Sequence, residues 1–368
     1  LDHRVREQVA TRRLRVVKYR GSAHETNEYP FLISADGFVV LPGTSAGLDY
    51  PASEERISTG VPRLDHMLAG GPFRGSTILI SGHPGTGKST LGAQLADATC
   101  ARGERALIVL FEESADQLIR NMRSIGLDLR RWVQAGLLRM WAARPTAYGL
   151  EMHLAMLSKL VDDTSPSVAV LDGIAGLHYD ATAAEVTSLV VRQLDLLKRH
   201  GITAVATTLA HEHESSSVDA SSLVDTWLLL RNVEADGERN RLLFVLKSRG
   251  TPHSNQVREF VLTDHGVELV DVYVGPEGLM TGSARLVQEA RQRNAAQLRR
   301  EEVILRRREL LRGIAEREAQ LALLQDELSS DRAELERIDV RERRQAAQAQ
   351  ADATELAARR WADARPDG

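Results

Sequence analysis

Hydrophobic and polar positions follow different rhythms in different parts of this chain. Between about Glu55 and Val274, the apolar runs TILIS (77–81), ALIVLF (106–111), SVAVLD (167–172), TAVATT (203–208) and TWLLLR (226–231) are separated by stretches of helical length and spacing. Runs too continuous to alternate in and out predict strands buried on both faces. Strand and helix in alternation predict a mostly parallel sheet flanked by helices, an α/β fold. The later runs RLLFVLK and REFVLT have strand composition with no helix between them, which predicts an antiparallel addition at the sheet edge.

The rhythm changes after Ser283. No proline occurs between Pro276 and Pro366, Gly313 is the only glycine from Ser283 to Arg365, and Arg, Glu, Leu, Ala and Gln dominate. This predicts one long helix. Steps of four and three from Val303 reach Arg307, Leu310, Ile314, Arg317, Leu321, Leu324, Leu328, Asp331, Leu335 and Ile338, so eight of eleven seam positions are apolar. A 3.5-residue period of this length predicts a coiled coil, the alternative being a single solvated helix or one folded back on its own domain.

A repeat sets the third feature. Lys18, Arg20, Gly21, His24, Phe31 and Gly37 recur as Lys247, Arg249, Gly250, His253, Phe260 and Gly266, each pair separated by 229 residues. Because the first copy lacks everything that precedes the second, and the chain opens on Leu1, the expectation is that it starts with the closing strands of a homologous domain in a longer tandem protein. The predicted division is 1–45 for those strands and a linker, 46–282 for one complete domain and 283–365 for the coiled-coil helix.

Composition narrows the function classes. With 47 Lys+Arg against 51 Asp+Glu the charges nearly cancel, so the overall balance advertises neither a nucleic-acid binder nor an acidic tail. The lone Cys100 has no intrachain disulfide partner and no companions for a cysteine-based zinc site. No apolar run approaches membrane-span length, and the first fifteen residues are too charged for a secretory signal, so a cytoplasmic protein without a membrane partner is expected.

The strongest chemical signal is SGHPGTGKST, in which Gly82, Gly87, Lys88 and Ser89 have P-loop spacing between a predicted strand and a predicted helix. In such a loop, Gly82, His83, Pro84, Gly85, Thr86, Gly87, Lys88, Ser89 and Thr90 wrap the phosphates of a nucleotide. The helix N-terminus favours their charge, Lys88 reaches the terminal phosphates and Ser89 is placed to ligate Mg2+. Asp172 ends SVAVLD, where a carboxylate on a neighbouring parallel strand faces that metal. Glu112 and Glu113 follow ALIVLF at the same edge; either one polarises the attacking hydroxyl, or the pair simply starts a helix near Ser114.

Taken together, the P-loop, LFEES, Asp172, SSLVDT and the repeated Lys-x-Arg-Gly resemble the KaiC family, tandem RecA-like ATPases of the circadian clock. The likeness covers about Thr11 to Arg285 and is to the second ATPase domain. It implies a homo-hexameric ring with ATP between subunits. Each subunit would offer Lys88, Glu112 and Asp172 to its own Mg-ATP, and Lys247 and Arg249 to its neighbour's. Arg241, Ser248, Gly250, Thr251 and His253 belong to the same implied contact in trans, and Lys18, Arg20 and His24 would serve the missing first domain. The resemblance also implies autophosphorylation on two adjacent hydroxyls, here Ser221 and Ser222, the second departing from the family's threonine by one methyl group.

Two further departures follow. Ile125 stands where an aromatic residue is expected over the base, and the long helix replaces the short tail that engages KaiA. A KaiA-like partner is therefore not expected, a KaiB-like partner is consistent with the resemblance, and the helix is expected either to join two rings into a dodecamer or to alter the phosphorylation balance. Two alternatives carry different chemistry. A RecA-type recombinase or helicase needs basic or aromatic residues on loops facing the ring centre, whereas LAHEHESSSVDASS has acidic Glu212, Glu214 and Asp219 and no Lys or Arg, and Arg306 to Arg308 interleave with glutamates. An ATP-stabilised scaffold would not need Lys88, Glu112 and Asp172 together.

Overall fold

The computed structural model describes residues 1–6, 9–24, 27–34, 37–40, 52–178, 182–210, 224–235, 237–275 and 278–363. They fall into two compact units, Leu1–Leu286 and Val287–Gly368. The first unit opens with β1 (Asp2–Arg6), β2 (Val9–Arg15), β3 (Glu28–Ser34) and β4 (Gly37–Val40), an antiparallel sheet in sequence order.

The remainder of that unit is built on a larger sheet. After α1 (Pro62–Met67) come β5 (Thr77–Gly82), α2 (Lys88–Ala101), β6 (Ala106–Leu110), α3 (Ala115–Arg123), α4 (Leu129–Gln134) and β7 (Leu138–Ala142). Then follow α5 (Leu150–Thr164), β8 (Val168–Asp172), α6 (Ala183–Arg199), β9 (Thr203–Leu209), β10 (Thr226–Ala235), β11 (Glu238–Ser248), β12 (Arg258–Thr263) and β13 (Gly266–Asp271). The strand order is β13-β12-β11-β10-β5-β9-β8-β6-β7. From β10 to β7 neighbours run parallel, and β11, β12 and β13 add antiparallel at one edge, as the two late apolar runs predict.

The five apolar runs are continuous because alternate residues enter two different cores. Ile78, Ile80, Ile108, Leu110, Val168 and Val170 pack with α2, α3 and α4, whereas Leu79, Leu107, Val109, Ala169 and Leu171 pack with α5 and α6. With both faces covered there is no solvent side for polar residues, and each large side chain contributes about 1.5–3 kcal/mol of burial. Strand β7 was not foreseen: LRMWA alternates buried Leu138 with exposed Arg139, the signature of a short edge strand.

The repeat extends to backbone pairing. Asp2 faces Arg13 as Arg231 faces Leu242, Arg13 faces Pro30 as Leu242 faces Glu259, and Phe31 faces Val40 as Phe260 faces Leu269. Strands β1 to β4 thus reproduce the register of β10 to β13 at the same 229-residue offset.

A small hairpin, β14 (Tyr273–Gly275) and β15 (Gly278–Met280), leads into α7 (Gly282–Asp363), 82 residues and about 120 Å long. Its first turn is held by carboxylates from the sheet edge. Glu259 accepts from the Gly282 amide and from Arg285, and Glu238 accepts from the Ser283 amide at 3.1 Å. Negative charge at a helix N-terminus is favourable, and Glu238 is correspondingly held below the usual carboxylate range by its bonds to Ser283 and then Asn240. Beyond that turn the seam residues Val303, Leu310, Ile314, Leu321, Leu324, Leu328, Leu335 and Ile338 are all exposed. Among the described residues no helix is long and apolar enough to cross a membrane.

Candidate nucleotide site

The P-loop leaves the C-terminal end of β5 and enters α2 at Lys88. Gly87, the N-cap of α2, has φ +98°, and a Cβ there would lie 2.7 Å from the ring of Phe260, so the loop rests on a buried aromatic from β12. The N-cap makes no side-chain hydrogen bond and the first turn of α2 holds no acidic residue, which leaves its amides and positive dipole end to an anion. Lys88 folds along the loop, its Nζ donating to the Gly82 and His83 carbonyls at 3.0 and 2.9 Å. Thr86 Oγ1 closes the loop by donating to the His83 carbonyl at 2.8 Å.

Asp172 ends β8 and is buried beside this loop. Burial raises its carboxyl above the usual range, opposed by hydrogen bonds from Thr207 and Ser89 and by the charge of Lys88. The Thr207 hydroxyl donates to Oδ1 at 2.6 Å and accepts from the Gly173 amide at 2.8 Å, locking the carboxylate and the turn after it. Lys88 is itself lowered by burial and held up by Asp172 and Glu112. Ser89 and Asp172 therefore meet as expected of a pair that would hold Mg2+, a hard cation that takes few protein oxygens and leaves the rest of its shell to water and phosphate. Among the described residues no group of three or more His, Cys, Asp or Glu side chains is placed as a complete metal cage.

Glu112 leaves β6 over Gly173. The glycine has φ +81°, and a Cβ on it would lie 2.8 Å from Glu112 Cγ, so the close approach of the two turns requires glycine. Glu113 turns away, accepting from Asn121 at 3.2 Å; its carboxyl is raised by burial, then by repulsion from Asp172, and then by Glu112, against the Asn121 bond. Helix capping is carried by neither glutamate, because Ser114 and Gln117 form a complete capping box.

The residues expected to act in trans divide. Arg241 lies near its own P-loop, donating from Nε to the Gly85 carbonyl at 3.3 Å. Lys247 and Ser248 pair with Trp227 and Thr226, and Thr226 pairs with Ile78 at the start of β5, so they lie at the opposite end of the sheet. Arg241 and Lys247 stand six positions apart on the strand, about 20 Å. There the Arg249 amide donates to the Asp225 carbonyl and Lys198 pairs with the Asp225 carboxylate at 3.0 Å. Lys247 is lowered by burial and then by Arg249, with Asp225 opposing and Lys198 adding to the repulsion. Ser248 is buried beside Thr226, Gly250 packs on Phe73, Thr251 accepts from Arg56, and His253 Nδ1 lies 3.3 Å from the Thr251 carbonyl.

Lys18 and Arg20 are exposed and His24 half-buried on the β2–β3 connection, at the positions equivalent to Lys247, Arg249 and His253. Ile125 is partly buried against the core. Ser221 and Ser222 lie outside the described residues. Sequence reasoning missed Thr207, Lys198 and the supporting role of Phe260. Thr207 had a signal, a hydroxyl inside a buried strand; Lys198 had none beyond its place at the end of an amphipathic helix.

A family model described as "ATPase: KaiC" matches residues 57–272. "Circadian clock protein KaiC2" of a Synechocystis species is 45% identical over 342 residues, 91% of this chain and 60% of that protein. "Circadian clock oscillator protein KaiC" of Synechococcus elongatus is 34% identical over 276 residues, 74% of this chain and 53% of that protein. The chain thus spans between half and two thirds of the length of these relatives.

Proposed function

The chain belongs to the KaiC family of ATPases, and from that premise we propose that it is a Mg-ATP-dependent ATPase and serine autokinase, working in the cytoplasm as a homo-hexameric ring in circadian or timing regulation. The observation that carries this reading is the arrangement of charge along the sheet. Lys88, Asp172 and Glu112 gather at the end of the sheet that bears the P-loop, and Lys247 and Arg249 gather at the other. A subunit with both ends so equipped is complete only when a neighbour's basic end meets its nucleotide, which couples catalysis to assembly.

In this mechanism the P-loop amides and Lys88 hold the phosphates. Mg2+, held by Ser89 and Asp172, with Glu112 at the same edge, would neutralise charge on the β- and γ-phosphates. Glu112 takes the proton of the nucleophile. When that nucleophile is water, its oxygen bonds to the γ-phosphorus, the bond to the bridging oxygen of ADP breaks, and phosphate leaves. When it is the hydroxyl of Ser221 or Ser222 on a neighbouring subunit, the same bond breaks and phosphoserine forms. Glu113, paired with Asn121, is the second acid of the site and supports the field around Glu112.

The exposed heptad seam of α7 supports pairing with a second copy of itself, joining two rings into a dodecamer. A KaiB-like protein fits the reading as a partner. Intact-mass measurement of the full chain after incubation with Mg-ATP tests the kinase: one or two added phosphates on Ser221 and Ser222 are expected, and none in Glu112→Gln with Glu113→Gln. Unphosphorylated wild type, or undiminished phosphate in the double variant, removes the autokinase and leaves hydrolysis alone.

A further inference from the structure

His153 on α5 is 1% exposed and lies among three aromatic rings. Phe111, Trp141 and Tyr148 meet it edge-on, with centroids 5.5, 6.0 and 5.9 Å away. Its Nε2 is 3.1 Å from the Pro145 carbonyl, an oxygen that can only accept, so the proton sits on Nε2. Nδ1 is buried without a hydrogen bond. For packing alone a phenyl ring would be the better occupant, because it fills the same aromatic cage and leaves no polar atom orphaned. What the imidazole adds is an N–H for the Pro145 carbonyl, with the Tyr148 backbone also near enough to act on the ring.

That bond leads to the reaction centre. Pro145 packs on Gly176, its Cγ 3.3 Å from where a Cβ would stand. Gly176 and Gly173 form the wall along Glu112, whose Cγ and Oε1 both lie against them. Phe111, which touches His153 on another side, is the residue before Glu112, and its amide donates to the Asp172 carbonyl at 3.1 Å. One buried ring therefore touches the residue before Glu112 and, through Pro145, backs the turn that walls it.

We propose that His153 is a positioning residue for Glu112: through Nε2–H it fixes the Pro145 turn on Gly176, and this fixes the carboxylate relative to the γ-phosphate. The proposal rests on the reading of Glu112 as the group that receives the nucleophile's proton. It predicts a change confined to the chemical step, since the phosphate-binding residues Gly82 to Thr90 are on another turn.

The test is steady-state ATP hydrolysis by the full chain, with thermal melts, in His153→Phe, His153→Gln, Glu112→Gln and the double variant His153→Phe with Glu112→Gln. His153→Phe should keep its melting temperature and KM for ATP and lose about tenfold in kcat. His153→Gln restores an N–H donor and should regain at least about half of kcat. The double variant should fall no further than Glu112→Gln, to within about twofold. Wild-type kcat in His153→Phe, a loss that glutamine does not repair, or a further loss in the double variant overturns the proposal. Should His153→Phe fail to fold, His153→Leu takes its place under the same criteria. Full activity in Glu112→Gln alone overturns the reading of Glu112 itself, whatever His153 does.

Discussion

Asp172 shows how much of a site is decided by one neighbour. A buried carboxylate pays for desolvation, and here the Thr207 hydroxyl at 2.6 Å and Ser89 keep it usable as an anion. Thr207→Val keeps the shape and removes the donor. It should lower stability by about 1–3 kcal/mol and raise the Mg2+ concentration needed for half-maximal hydrolysis, measured by denaturant unfolding and a metal titration. His153 supplies a pH test. Burial lowers its pKa, the carbonyls of Pro145 and Tyr148 opposing, and no charged side chain among the described residues enters its balance. The unfolded chain then binds the extra proton first, so the contribution is complete above about pH 6.5 and is lost as pH falls through the depressed native value. Unfolding midpoints of the wild type should therefore fall below about pH 6.5 more steeply than those of His153→Phe. Parallel midpoints across that range would contradict it. Lys88, Asp172 and Glu112 were legible in the sequence because each stands at a fixed place after an apolar run. Thr207 and His153 were not, because their partners lie 35 and 8 residues away across turns whose closure only the fold decides.

Among the elements, α7 was the most legible in the middle and the least at its start. Absence of proline and a 3.5-residue period fix a long helix whatever surrounds it. Its anchor depends on Glu238 and Glu259, which stand 45 and 23 residues upstream of the amides they receive and have no spacing rule to reveal them. The same strands carry Arg241, which reaches Gly85, and Phe260, which supports Gly87, so the base of α7 and the back of the P-loop share β11 and β12. Glu259→Leu removes both acceptors from the Gly282 amide and should cost about 1–2 kcal/mol of local stability. Hydrogen exchange at Gly282 and Ser283 should quicken by about tenfold or more, while amides within β5 and β8 change little. Uniform quickening throughout the sheet would mean that Glu259 supports the whole unit rather than the helix base.

For the molecule as a whole, the repeat is the feature that sequence and structure state alike, since β1 to β4 keep the register of β10 to β13 pair by pair. The sheet's separated charges lead to the prediction at this scale. Lys247 lies about 20 Å along the strand from Arg241, the residue that touches its own P-loop, and Arg249 follows just past the strand's end, away from that loop. If they serve a neighbour's nucleotide, two inactive variants must repair each other. Lys88→Ala retains Arg249 but lacks its own phosphate ligand, and Arg249→Ala retains the P-loop but lacks the cation it would lend. In rings assembled at random from equal amounts of the two, roughly a quarter of interfaces pair an intact P-loop with an intact Arg249. Hydrolysis by the mixture should rise toward that fraction of wild type after the chains are allowed to exchange. Activity no greater than the mean of the separate variants would place Arg249 outside the reaction.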